Sequence, residues 1–165
     1  MHSSVRADAI AIGVLVAAVG MAFLPSVNAE WLNWDDEKNF LINDRWRGLD
    51  WAQLEWMWTA RWMGHYQPLT WMSLGLGYVI HGLEPFGYHV ENVAMHGLST
   101  VLFFSILRTL FPAMGTLGAA AGAAFFGVHP HRVESVAWIS ERRDVLSLPL
   151  ALGSVWAWLA WVRDR

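Results

Sequence analysis

Asp35, Asp36 and Glu37 stand in a row, two tryptophans behind them (Trp31, Trp34) and a long apolar run before those. A carboxylate cluster of this kind invites two roles. One aspartate can act as general base, deprotonating a hydroxyl within hydrogen-bond reach. The cluster can instead ligate a hard divalent cation such as Mg²⁺ or Mn²⁺. A solvated charge run is the ordinary reading of such a stretch, and the flanking Trp34 and Phe40 weigh against it.

Further polar residues recur in short groups. They are His65, Tyr66 and Gln67 before Pro68; His89, Glu91, Asn92 and His96; His129, His131, Arg132 and Glu134; and Glu141, Arg142, Arg143 and Asp144. His89 and His96 are two helical turns apart on one face, a spacing open to metal or haem ligation as well as to a structural role. Arg132, Arg142 and Arg143 suit bidentate binding of a phosphate, or anchorage at lipid headgroups.

The elements that carry these residues are apolar. Of 165 residues, 55% are hydrophobic and 15% charged, against about 25% charged in a soluble domain; the mean hydropathy is +0.31. The surplus of apolar side chains implies a bilayer. A net charge of −3 leaves no basic stripe for a nucleic acid, and the absence of cysteine removes disulfides and thiolate metal sites. The pattern predicts an all-α polytopic membrane protein, a single membrane domain over residues 1–165.

About four spans are expected, at 9–27, 90–111, 115–128 and 145–162. The third is short and rich in Gly and Ala, which suits close packing in lipid. "SVNA" before Glu30 resembles a signal cleavage site, but the first run is long for a signal core and reads as a retained helix. Residues 69–80 are too short to cross and read as re-entrant or interfacial. Alternating spans put Arg6, Arg108, Arg163 and Arg165 on one side, which the positive-inside rule makes cytoplasmic. Segments 28–89 and 129–144 then lie outside, and the polar groups above, with Glu91, Asn92 and His96 at the start of the second span, gather on that side. Ionisable residues at a bilayer mark sites.

Eight of the twelve tryptophans fall between Trp31 and Trp71, an interfacial composition. Asp50 and Gln53 fit the N-cap and N3 of a capping box. Trp51, Leu54, Trp58 and Trp62 recur at helical spacing, predicting an amphipathic helix at the outer membrane surface.

"NWDDEKNFLIN", "GHYQPLTWMS", "GLEPFGYHVENVAMHGLSTVLFFSILR" and "HPHRVESVAWISERRDVLS", in this order, resemble the amino-terminal membrane region of polytopic glycosyltransferases of the GT-C fold. The similarity is to those carrying C-terminal tetratricopeptide repeats, relatives of protein O-mannosyltransferases. It implies transfer of a sugar from a polyprenyl-phosphate carrier to a protein or glycan acceptor outside the cytoplasm, generally with inversion. It implies catalytic acids at Asp35 and Asp36, and substrate-binding roles for His65, Tyr66, His89, Asn92, His129, Arg132, Glu134 and Arg142. Assistance by a divalent cation stays open. Such enzymes have many more spans than four, so the resemblance implies an amino-terminal piece of a larger enzyme in a bacterial inner membrane. The other readings are a noncatalytic membrane scaffold or degenerate fragment, and a His-ligated haem or metal membrane protein.

Overall fold

The computed structural model describes residues 2–163 and 165, and among these the regular structure is helical. Seven α-helices follow one another: α1 (His2–Val27), α2 (Trp51–Thr59), α3 (Pro68–His81), α4 (Pro85–Leu110), α5 (Gly115–Gly127), α6 (Val133–Ala137) and α7 (Arg142–Arg163). A π-helical turn, Glu37–Ile42, follows the acidic pair. The all-α membrane class read from composition holds.

Three stretches are long and apolar enough to cross a bilayer: Ser4–Val27, Pro85–Leu110 and Ile139–Arg163. The expected third span differs. α5 has only 13 residues, about 20 Å of helix against roughly 30 Å of hydrocarbon. It runs antiparallel to α4, with Gly122 beside Leu107 and Gly127 beside Thr100 and Val19. Beyond Gly127 the chain breaks at His129–Pro130 and climbs alongside α4 through a 3₁₀ turn and α6. The return is therefore a broken crossing, because Pro130 cannot extend a helix begun in α5.

α1 and α5 pack on α4 through Leu15, Phe104, Ala119 and Ala123. Deep hydroxyls in α4 return to their own helix: Ser99, Thr100, Ser105 and Thr109 donate to carbonyls four residues back. That satisfies each group without water. At one end Asp8 accepts from Arg108 Nε at 3.0 Å and from Thr116 Oγ1, tying α1, α4 and α5 together. α7 starts beside Tyr88 and passes Leu102 at Gly153, so Arg163 finishes at that same end.

At the other end the segment between α1 and α4 folds on an aromatic core of Phe40, Trp46, Met57, Trp71, Leu74 and Tyr88. Edge-to-face rings such as Phe40–Trp46 and Trp56–Trp71 each add about 0.5–1.5 kcal/mol beyond burial. A Cβ on Gly75 would lie 2.6 Å from the Gly48 carbonyl, so only glycine allows this approach of α3. α3 is the short apolar stretch expected at the interface. α2 departs from expectation in two ways. Asp50 is its N-cap but makes no side-chain cap, and Trp62 lies past the helix end, bridged to His65. Trp51 and Trp58 do face outward, 80% and 50% exposed.

Candidate active site

Asp35 and Asp36 open the helical turn that follows the exit of α1. Helical spacing points neighbouring side chains in different directions, and the pair separates accordingly. Asp36 is buried. Its Oδ2 accepts from Leu32 N at 3.0 Å, and its Oδ1 accepts from Ser140 N at 3.2 Å and Ser140 Oγ at 2.6 Å. Burial pushes its carboxyl up from the ordinary 3.8, against the pull of the Ser140 and Leu32 bonds. Asp35 is half-exposed and, among the described residues, takes no hydrogen bond or ion pair.

The surrounding turn is pinned from several sides. Trp31 Nε1 donates to the Leu83 carbonyl and its ring lies against Phe40 and Tyr88. The π-helical turn leaves carbonyls without helical partners, and Arg47 Nη2 donates to those of Phe40 and Leu41. Asn39 Nδ2 donates to Ser140 Oγ.

Arg142 and Asn92 hold the second outer segment against α4. Arg142 is 1% exposed. It pairs with Glu91 at 2.7 Å, donates to the Tyr88 carbonyl at 2.9 Å and reaches Ser73 Oγ on α3. Glu91 also meets His81 Nε2 at 2.8 Å. Its guanidinium is thus committed within the protein, unlike the phosphate-gripping arginine that charge alone suggested. Asn92 Nδ2 donates to the carbonyls of Val136 and Trp138.

His89 is buried, yet neither ring nitrogen has a hydrogen-bond partner. The main chain of Ala29 and Ala137 lies close to the ring without meeting hydrogen-bond geometry, and Asp36 and Arg142 are charges that act on it. It lines a cleft of about 460 Å³ between the end of α1 and α6, with Glu30 and Glu134 also lining it. A second hollow, lined by Leu32, Asn33, Trp34 and Trp138, shares Leu32 and Trp138 with the first.

His129 and Arg132 sit elsewhere, at the mouth of a largely apolar groove of about 570 Å³ lined by Phe103, Leu107, Phe125 and Phe126. His129 stacks on His131 at 5.2 Å, and the Arg132 guanidinium lies 4.5 Å over the Phe126 ring. Among the described residues Arg132 has no carboxylate partner. His65 and Tyr66 are exposed and engaged locally, through the Trp62 bridge and a hydrogen bond from Tyr66 Oη to the Trp58 carbonyl. Among the described residues no hydrogen bond, ion pair or ring contact joins them to the acidic turn.

His96, offered with His89 as a ligand pair, is committed to the Gly127 carbonyl at 2.8 Å and packed against Phe23. Among the described residues no three His, Asp or Glu side chains converge as a metal site; Asp36 points inward while Glu37 is exposed. Ser140, the closest partner of Asp36, was missed in the sequence because a lone serine in "WISERR" carries no signal of its own.

The fold and site define an all-α membrane protein with a carboxylate turn assembled from two segments at one end of its spans. No family model matches the chain, and no solved structure matches it. Its curated homologues are protein O-mannosyl-transferases. It is 40% identical over 84 residues to protein O-mannosyl-transferase Tmtc1 of Drosophila melanogaster, covering 51% of this chain and 10% of that protein. Tmtc2 of the same species is 32% identical over 103 residues (62% and 11%), and tmtc2 of Xenopus laevis 39% over 80 (48% and 9%). The chain spans about a tenth of the length of the curated relatives it matches.

Proposed function

We propose that this chain forms the outer face of a membrane glycosyltransferase. It moves mannose from a polyprenyl-phosphate carrier to a protein hydroxyl on the non-cytoplasmic side of a bacterial inner membrane. The observation that carries this reading is the division of labour in the acidic pair. Asp36 is buried and fully bonded, and Asp35 is left accessible beside it. The names of the homologues support the sugar and the protein acceptor.

Asp35 takes the proton of the acceptor hydroxyl. The oxygen attacks the anomeric carbon from the face opposite the phosphate, the bond from that carbon to the phosphate oxygen breaks, and the carrier phosphate leaves with the electron pair. The configuration inverts. Arg132 and His129, beside an apolar groove apart from the acidic turn, suit the approach of a carrier phosphate whose tail stays in lipid, ahead of the reacting position. Asp36 sets the turn that aims Asp35, and no step is routed through a metal.

In the full-length enzyme, Asp35→Asn lowers transfer by at least about 10²–10⁴-fold, the usual worth of a general base, with an unchanged melting temperature. Retained turnover removes Asp35 as the base.

A further inference from the structure

The cleft beside the acidic turn has a composition of its own. Glu30 and Glu134 line it and are exposed, Trp34 stands 73% exposed next to Trp138, and Leu32 joins its two hollows. His89 lines the inner part, 2% exposed with both ring nitrogens unpartnered. A buried imidazole without a partner costs free energy unless something meets it. The main chain of Ala29 and Ala137 lies near this ring, and both residues line the same cleft, so the imidazole stands at its inner wall.

The chemistry selects among occupants. Two carboxylates repel a phosphate, so the carrier's anionic head does not belong here; that charge is met instead by Arg132 at the separate groove. Largely apolar walls with a pair of indoles suit an extended peptide, whose backbone carbonyl or hydroxyl can accept or donate at His89. A negative rim favours basic side chains on that peptide and disfavours acidic ones. The cleft also runs past Leu32, whose N–H donates to Asp36, to Trp34, so it lies alongside the acidic turn.

We infer that the cleft between Trp34, Trp138, Glu30 and Glu134 is the acceptor subsite, and that it selects a Ser- or Thr-bearing segment flanked by lysine or arginine over one flanked by acidic residues. This rests on the transferase reading given above and adds to it the charge of the acceptor.

The test uses the full-length protein in phosphatidylcholine nanodiscs, which carry no net lipid charge. Two fluorescent peptides of identical core, one Lys-flanked and one Glu-flanked, are titrated by anisotropy, and the same peptides are offered in the transfer assay. Wild type binds the Lys-flanked peptide roughly tenfold tighter, the sum of two ion pairs at a partly exposed rim, and the margin shrinks as salt rises. Glu30→Gln with Glu134→Gln removes the preference, and Glu30→Lys with Glu134→Lys reverses it. Trp34→Ala, at an exposed position, weakens both peptides alike. Equal binding of the two peptides by wild type, or a preference that the charge variants leave untouched, overturns the proposal. If transfer is seen and is lost in Asp35→Asn while the preference is absent, the transferase reading stands and the acceptor cleft falls. If the preference is present and reverses but no mannose is transferred, the cleft stands only as a site for basic peptides, and both its acceptor role and the transferase reading fall.

Discussion

Ser140 Oγ donates a 2.6 Å hydrogen bond to Oδ1 of Asp36 across 104 residues of chain. The two outer segments thus close on one another through the acidic pair, and the member that looks most like a second catalytic acid is the one the fold has used for construction.

The Asp36 carboxyl is raised above 3.8 by burial, which fixes the sign of its pH dependence. Between the unfolded value and the raised folded one, the native state holds more protons at this site than the unfolded chain. Stability from Asp36 is therefore fully present below the unfolded value and is lost as pH rises through the folded one. Thermal unfolding of wild type and Asp36→Asn, compared from pH 4 to 8, will show wild type gaining on the variant as pH falls, by at most about 1.4 kcal/mol per unit. Ser140→Ala, which removes one of the bonds favouring the ionised form, moves that window to higher pH and costs about 1.5–3 kcal/mol at neutral pH.

Arg142 and Glu91 form an ion pair at 2.7 Å with the arginine side chain 1% exposed. Removing one partner of such a pair strands a charge. Arg142→Ala is expected to cost about 3–5 kcal/mol in denaturant unfolding in detergent. Arg142→Met combined with Glu91→Gln will cost clearly less than the sum of its single changes, because no charge is left behind. Strict additivity would show that the pair is not coupled.

The glycines of the spans divide into two groups. A Cβ on Gly127 would lie 2.9 Å from Thr100 and 3.0 Å from Val19, whereas one on Gly20 or Gly97 meets nothing within 4 Å. Gly127→Ala will destabilise by about 1–3 kcal/mol through overpacking of α5. Gly20→Ala and Gly97→Ala will be neutral or stabilising by up to about 1 kcal/mol. Melting temperatures of the three variants in one detergent decide it.

Much of this arrangement is legible in the sequence because periodicity and hydropathy act locally. The spans at 9–27 and 145–162 fall inside α1 and α7, and 90–111 inside α4 but for Phe111, with polar ends such as Pro85–His89 continuing a helix past its apolar run. The expected third span, 115–128, matches α5 to within one residue, but its 13 residues are too few to cross, and the break at His129–Pro130 that hands over to α6 is not marked by hydropathy. Composition near Asp35 marks a site, but which carboxylate stays accessible depends on Ser140 and Leu32 contacts that no local pattern encodes. The arginines divide for the same reason. Arg142 and Arg132 are alike in sequence, and it is the placement of Glu91 on α4 that pairs one of them while the other has no carboxylate partner among the described residues.

Arg142 has a consequence for how the protein is made. It ties α3, α4 and α7 together through Ser73, Glu91 and Tyr88, and it lies two residues past Ser140. A ribosome adding about 5–20 residues per second delivers Ser140 roughly 5–20 s after Asp36. Through that interval the acidic turn stands unfastened while α2, α3 and α4 are added in turn, and Glu91, once made, waits for its arginine. The acidic turn closes only when the segment that leads into α7 arrives, so its assembly is timed by translation.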